Sequence, residues 1–303
     1  MTKLSTFFGL LPFALSAPLL ASEQDVRISL GDAGHYNAFV FDNFSSPSSK
    51  VEGRLAVGGN LKIRGYSIAD ELDDDDEIGA DNYSLVVGGD ANFSTGRVYS
   101  GHILIGGSGA GIGDSVRWGL SSSQVLWDEV DLPISFEKVR TQLTALSQSL
   151  RTLENSGTVE KRWGGLYLKG DCLSQLQIFN VSGDDILNAH TFQTSCIPEG
   201  SNVVFNISGA VAGFDNISLE TLDDHNERVL FNFYEATSLV LKGVEVEGSI
   251  LAPLADIGVP EPKGTINGTL IAKSWSGRMS FEWEQFEPYN ANYIKCEGYA
   301  FLK

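Results

Sequence analysis

Short runs of aliphatic and β-branched residues, separated by glycine or polar turns, recur along the chain. Five segments share this pattern: VEGRLAVGGNLKI (51–63), YSLVVGGDANFSTG (83–96), GHILIGGS (101–108), VEGSILAPLADIGV (246–259) and INGTLIAKSWSG (266–277). Within them apolar residues alternate, as Leu55 and Val57 do on one face of the first run. Alternation with a period of two is typical of β-strands. The sequence therefore predicts a mainly β protein.

A Gly-Gly pair ends three of these runs, at 58–59, 88–89 and 106–107. Such pairs let a chain turn without a steric penalty. The runs recur at intervals of roughly 20–35 residues, which is the range of repeating coils. A β-sandwich would show the same alternation, but the repeated glycine corners favour a right-handed β-helix (β-solenoid).

One segment has a helical period. Between about 135 and 155, apolar residues are spaced by three and four positions: Phe136, Val139, Leu143, Leu146, Leu150 and Leu153. Ser135 suits the N-cap, Glu137 the first turn and Gly157 the C-terminal stop. We expect one long α-helix packed along the flank of the β-helix. Docking on a membrane or partner is the alternative, although the polar face is rich in Ser, Thr and Gln rather than basic residues.

The first residues have the pattern of a secretion signal. Lys3 is followed by an apolar stretch from Leu10 to Leu20 and then by small residues. We expect a signal peptide at 1–21, cleaved near Ala21, and one domain over 22–303. The mature chain should be secreted, either extracellular or on the cell surface. No other segment approaches the ~18 apolar residues of a membrane span, so membrane insertion is not expected.

The chain carries 39 acidic against 21 basic residues, a formal charge of −18. This charge makes nucleic acids poor partners. An acidic loop at about 69–82 contains Asp73, Asp74, Asp75 and Asp76, which are candidates for a weak calcium site because calcium prefers carboxylate oxygens. A solvated, self-repelling loop is the alternative. No other cofactor is expected.

Three cysteines are present, Cys172, Cys196 and Cys296. In an oxidising compartment we expect a disulfide between Cys172 and Cys196, because this separation suits stacked coils. Cys296 would then be free or would form an intermolecular link to a partner.

No catalytic residues are predicted. The sequence lacks a Gly-x-Ser-x-Gly nucleophile elbow, and the glycine-rich GGSGAGIG lacks the Lys of a phosphate loop. Asp223, Asp224 and His225 fit a polar turn between two strands. The five tryptophans are expected to pack in the core or at coil ends rather than to form a sugar platform.

The phrase YNAFVF…VEGRLAVGGN, with LVVGGDANFSTG and VEGSILAPLADIG…INGTLIAKSWSG, resembles the choice-of-anchor A domain, a family of adhesins, over about residues 30–288. The resemblance implies a cell-surface protein, often described as collagen-binding, without catalytic residues. The C-terminal segment also looks like ice-binding proteins, which are β-helices with a long helix alongside.

These observations predict a non-catalytic, adhesin-type binding module for an extracellular matrix protein, a polysaccharide or a cell surface. Two alternatives remain. One is an ice-binding protein, which needs a wide face of Thr, Ser and Ala where this chain has Lys62, Arg64, Arg97 and Lys273. The other is a polysaccharide-cleaving enzyme, because β-solenoids also carry lyase sites.

Overall fold

The computed structural model describes residues 27–72, 82–259 and 264–289, and short strands, nearly all paired in parallel, are its most frequent elements. The chain is mainly β, with a strongly curled parallel sheet. Its strands recur in groups of three, and each strand pairs in parallel with its counterpart in the next group. This pairing arranges the strands in three stacks.

The first stack contains β1 (Ala38–Val40), β4 (Leu55–Val57), β7 (Tyr83–Val87), β10 (His102–Ile105), β12 (Leu126–Trp127), β15 (Leu176–Ser182), β17 (Asn202–Ser208) and β19 (Val229–Asn232). The second contains β2 (Phe44–Pro47), β5 (Leu61–Arg64), β8 (Ala91–Phe93), β11 (Gly111–Ile112), β18 (Val211–Asp215) and β20 (Ser238–Lys242). The third contains β3 (Lys50–Val51), β6 (Tyr66–Ile68), β9 (Gly96–Val98), β21 (Val244–Glu247), β23 (Gly264–Asn267) and β25 (Ser280–Glu282). Two long strands, β22 (Ser249–Gly258) and β24 (Leu270–Ser276), belong to both the first and the second stack.

The N-terminal and C-terminal parts of the chain meet in the middle of the stacks. Strand β1 pairs with β4 on one side and with β24 on the other, where Ala38 lies opposite Leu270. The buried side chain of Asn37 ties this joint together: its amide donates to the carbonyls of Gly268 and Glu282, each at 2.8 Å, and its oxygen accepts from the Gly53 N–H. The first stack therefore runs in space from β12 through β1 and β24 to β15.

Alternate residues of each strand enter a long apolar core. In β5, Leu61 and Ile63 are buried whereas Lys62 and Arg64 are exposed, as the period of two predicts. Equivalent core residues lie above one another, and the clearest case is a column of Phe179, Phe205 and Phe231. Their ring centroids are 5.4 and 5.1 Å apart and the rings are nearly parallel.

The Gly-Gly corners are required because successive chains pass very close together. A Cβ on Gly88 would lie 2.2 Å from the carbonyl oxygen of Gly58, and a Cβ on Gly58 would lie 2.2 Å from that of Phe41. A column of side chains beside the glycines holds the corners in register: Asn43 Oδ1 accepts from the Asn60 N–H, and Asn60 Oδ1 from the Asp90 N–H, both at 2.8 Å. The glycine signal in the sequence thus marks real corners.

Helix α2 (Phe136–Leu150) covers the outer surface of the first stack. Ser135 is its N-cap and accepts from the Lys138 N–H, as predicted. The apolar stripe faces outward-pointing residues of the strands, including Phe39, Val204 and Ile271. The predicted position of this helix, along the flank of the stacked strands, is therefore confirmed.

The predicted end of this helix near 155 is wrong, because the helix stops at Leu150. Asparagine side chains from the strands replace the missing helical donors: Asn206 donates to the Leu150 carbonyl at 2.8 Å and Asn180 to the Leu153 carbonyl at 2.9 Å. Beyond this point, Ser156 pairs with the edge of β15 through its N–H, which donates to the Ile178 carbonyl.

The prediction of one long helix is also wrong, because this helix has 15 residues and shorter helices accompany it. Within the described residues the structure also contains the five-residue helices α1 (Asp114–Trp118) and α3 (Gly183–Leu187), and the 3-10 segments Gly31–His35 and Glu220–Arg228. Such short elements span too few turns to produce a helical period. Helix α1 packs on β9 and helix α3 on β18, so both cover strands at the two ends of the stacks.

A separate sheet covers the same end as α3. It consists of β13 (Thr158–Arg162), β14 (Gly165–Lys169) and β16 (Thr191–Ser195), in which β13 and β14 form an antiparallel hairpin. Its inner face buries Leu166, Leu168 and Phe192 against the core, with Phe192 edge-on to Phe205 at 5.4 Å. We call it the end sheet.

Replacing Phe205 with alanine should lower the free energy of unfolding by about 3–5 kcal/mol, because the cavity would open between two rings of the phenylalanine column and beside Phe192. Chemical denaturation monitored by tryptophan fluorescence measures the loss. Val211→Ala, at a half-exposed position on β18, is the control and should change stability by less than about 1 kcal/mol. Equal losses in the two variants would contradict the role of the column.

Candidate functional site

The outer surface of the second stack is a row of polar and small residues that no helix of the described chain covers. Successive strands place these residues directly beside one another in register, and the row consists of Gly258, Ser276, Ser45, Lys62, Asn92 and Gly111. Neighbouring strands of a sheet lie about 4.8 Å apart, so the row extends for roughly 24 Å. We call this surface the ladder face.

Further rows of residues lie on both sides of this row and widen the ladder face. On one side lie Val211, Ser238, Asp256 and Ser274, and on the other Pro47 pairs with Arg64. A shallow depression of about 300 Å³ runs between Ser45, Lys62 and Asn92. Cations and carboxylates are paired here, since Lys273 Nζ lies 2.8 Å from Asp256 Oδ2 and Lys242 Nζ lies 3.0 Å from Asp215 Oδ1. The face is thus flat and polar, and two of its cations are paired with carboxylates, which suits contact with an extended surface.

An acidic cleft lies beside the third stack. It has a volume of about 700 Å³, and its lining includes Glu220, Asp223, Glu245, Glu247 and Asn267. Strand register brings Glu247 beside Asn267, and Asn267 beside Glu282 on the next strand. The Asn267 amide donates to both carboxylate oxygens of Glu247 at 3.1 Å.

Burial raises the pKa of Glu247, while the hydrogen bond from Asn267 lowers it and the negative charges of Asp223, Glu245 and Glu282 raise it. Burial likewise raises the pKa of Glu282, with a further contribution from Glu52. The carboxylates therefore repel one another across the strands. Within the described ranges, no group of three or more His, Cys, Asp or Glu residues is arranged to hold a metal ion.

The structure contains the predicted disulfide between Cys172 and Cys196, with Cα atoms 4.6 Å apart. The two cysteines follow the paired strands β14 and β16, and the Cys172 N–H also donates to the Cys196 carbonyl. The calcium candidates Asp73, Asp74, Asp75 and Asp76, the signal peptide at 1–21 and Cys296 lie outside the described residues. Asp223, Asp224 and His225, predicted as a turn, lie in the 3-10 segment Glu220–Arg228.

The tryptophan prediction holds only in part. Trp275 is buried in the core, whereas Trp118 and Trp163 are 82% and 80% exposed. The sequence could not separate these cases, because exposure depends on which turn or short helix carries the indole. Within the part of the chain that the structure describes, no helix combines the length and apolar character needed to cross a membrane.

Replacing Glu247 with glutamine should stabilise the protein at neutral pH and not at pH 4. A raised pKa means that the folded state favours the protonated carboxyl. The stability that this carboxyl contributes is therefore full below the unfolded-state pKa of about 4.3 and is lost as pH rises through the folded-state pKa. Glutamine stays neutral and avoids that loss. Thermal unfolding from pH 4 to 8 measures the difference between variant and wild type. Glu199→Gln, which removes the same charge from an exposed turn, is the control; a pH dependence equal to that of Glu247→Gln would contradict the role of burial.

Comparison with known proteins identifies a family. The model of a family described as a putative ice-binding-like adhesive domain matches residues 29–283. No curated protein and no solved structure matches the chain. The match spans the three stacks, helix α2 and the end sheet, and it agrees with the adhesin resemblance of the sequence. On this evidence the chain belongs to the ice-binding-like adhesive domain family.

Proposed function

We propose that this protein is an extracellular adhesive module that binds a matrix polymer, polysaccharide or cell surface through its ladder face. The observation that carries the proposal is the in-register row from Gly258 to Gly111, which helix α2 leaves uncovered while it covers the first stack. A flat row of repeated polar groups suits many weak contacts with a repeating surface, and such contacts gain strength together. The family description supports adhesion in general.

The three stacks support a closed right-handed β-solenoid as the scaffold of this face. Each group of strands returns to the same three positions, as β1, β2 and β3 are followed by β4, β5 and β6. Parallel strands joined by crossover connections in one sheet are right-handed in about 98% of cases. A closed solenoid would keep the ladder face rigid, and a rigid surface loses less conformational entropy on binding.

Secretion to the cell exterior, with residues 1–21 as a signal peptide, follows from the same proposal. A disulfide between Cys172 and Cys196 supports it, because such bonds persist in oxidising compartments. We also propose that the module acts by binding and not by catalysis, with collagen among the matrix proteins to be tested. Release of reducing or unsaturated ends from uronic-acid polymers would overturn the non-catalytic proposal.

Ice binding is the second candidate, favoured by the family description and by the regular spacing of the ladder face. Against it, the row contains Lys62 and Asn92 where an ice-binding face would have small hydroxyl or methyl side chains. Thermal hysteresis of the purified protein measures this activity directly. Its presence would replace the polymer proposal by ice adhesion.

Ser45→Tyr should weaken adhesion at least tenfold, because a bulky side chain would project from the middle of the flat row; a tenfold loss is about 1.4 kcal/mol. The measurement is retention of the purified protein on immobilised collagen, other matrix proteins, cell-wall glycans and ice. Running the panel with and without calcium tests the cation site predicted for residues 73–76.

The matched control is Ser122→Tyr, which adds the same side chain to an exposed loop at the β12 end. It should be retained like the wild type. If Ser45→Tyr is also retained like the wild type, the ladder face is not the contact surface. If the wild type is retained on no member of the panel, the adhesive proposal itself fails.

A further inference from the structure

The end sheet has a solvent-facing surface that carries polar, charged and aromatic side chains. Its inner face packs on the core, and Glu160, Lys169 and Gln193 on its outer face are exposed. Register places its outward residues in two rows, Glu160, Tyr167 and Gln193, and Thr158, Lys169 and Ser195. These residues line a depression of about 410 Å³, which also includes Arg162 and Thr194.

Trp163 occupies the tip of the hairpin in a conformation that the turn does not favour for tryptophan. Trp163 has φ +50° and Gly164 has φ +73°. Two-residue hairpin turns with both φ values positive strongly prefer Asn-Gly, and a bulky residue in this region is strained. The turn is nevertheless held in place, because the His190 N–H donates to the Gly164 carbonyl at 3.0 Å.

Burial does not offset this strain, since Trp163 is 80% exposed. A bulky residue that persists in a strained backbone conformation at an exposed position is a reason to look for function there. The fold would gain stability from asparagine at this position. The indole is therefore displayed on a fixed turn at the cost of some stability.

Trp163, Arg162 and Tyr167 form one connected platform. The Arg162 guanidinium lies 4.3 Å from the Tyr167 ring centroid and 5.0 Å from that of Trp163. The two rings are perpendicular, with centroids 6.5 Å apart. A second depression, of about 310 Å³, adjoins Trp163 on the side of Asp184 and Asn188. Planar groups thus border depressions on both sides of the hairpin.

The charges around this platform balance. Lys161 Nζ lies 2.5 Å from Asp185 Oδ1, and Arg162 lies 3.8 Å from Glu160. Lys169 and Asp184 complete a set of equal numbers of cations and anions. These charges are equal in number, and such a balance disfavours a strongly anionic or cationic ligand.

We propose that the end sheet binds a neutral glycan, with one sugar ring packed on the exposed indole of Trp163 and neighbouring hydroxyls hydrogen-bonded by Gln193, Glu160 and Lys169. A sugar presents a face of C–H groups that packs on an aromatic ring, and its edges carry hydroxyls that both donate and accept. This site is separate from the ladder face. It names a ligand class within the proposed adhesive function and gives it a second point of attachment.

The test is isothermal titration calorimetry of the purified protein with neutral hexasaccharides of glucose, N-acetylglucosamine, mannose and galactose. At least one should bind the wild type, and Trp163→Ala should weaken that binding at least tenfold. Trp118→Ala is the matched control, because Trp118 is 82% exposed on helix α1 at the opposite end of the stacks. It should leave binding unchanged.

Trp163→Asn separates function from folding. It should weaken binding as much as Trp163→Ala, while the thermal unfolding midpoint stays equal to or rises above that of the wild type. The glycan proposal is overturned if no neutral hexasaccharide binds at millimolar concentration, or if Trp163→Ala and Trp118→Ala bind equally well. Loss of surface retention in Ser45→Tyr with intact hexasaccharide binding would show that the two sites are independent, so either proposal can fail without the other.

Discussion

Parallel pairing in register is the interaction on which the rest of this structure depends. It places each residue directly beside its equivalent on the next strand, so residues of one kind form columns. Phenylalanines fill the core in this way, and asparagines 26 residues apart donate to one another beneath helix α2. The flat ladder face outside follows from the same register that fills the core.

Local patterns predict the parts of the fold that local forces determine. The glycine corners, the alternating strands and the apolar stripe from Phe136 to Leu150 are all visible in the sequence. The end of helix α2 is not, because its last carbonyls are bound by Asn206, whose contact with Leu150 spans 56 residues. The pairing of β1 with β24 is hidden for the same reason, since no local feature of Ala38 indicates Leu270 as its neighbour.

The candidate sites likewise include some that the sequence predicts and others that it does not. The pairing of Cys172 with Cys196 could be inferred from their separation, but the acidic cleft could not, because it depends on the register that brings Glu247 beside Asn267. The display of Trp163 was also hidden, since Trp-Gly is a weak turn signal compared with Asn-Gly. To predict the ladder face, one needs both the positions of the strands and the position of helix α2, which covers the first stack instead.

The joint between β1 and β24 has a consequence for how the chain is made. During synthesis β1 emerges early, but the strand that covers its open edge follows about 230 residues later. At roughly 5–20 residues per second, the edge waits on the order of 10–50 s for its partner. An unpaired strand edge is a template for aggregation. A chain exported before folding would fold away from the ribosome, with the whole sequence already present. Its N-terminal strands could then pair directly with the last ones, and the unpaired edge would not have to wait for synthesis.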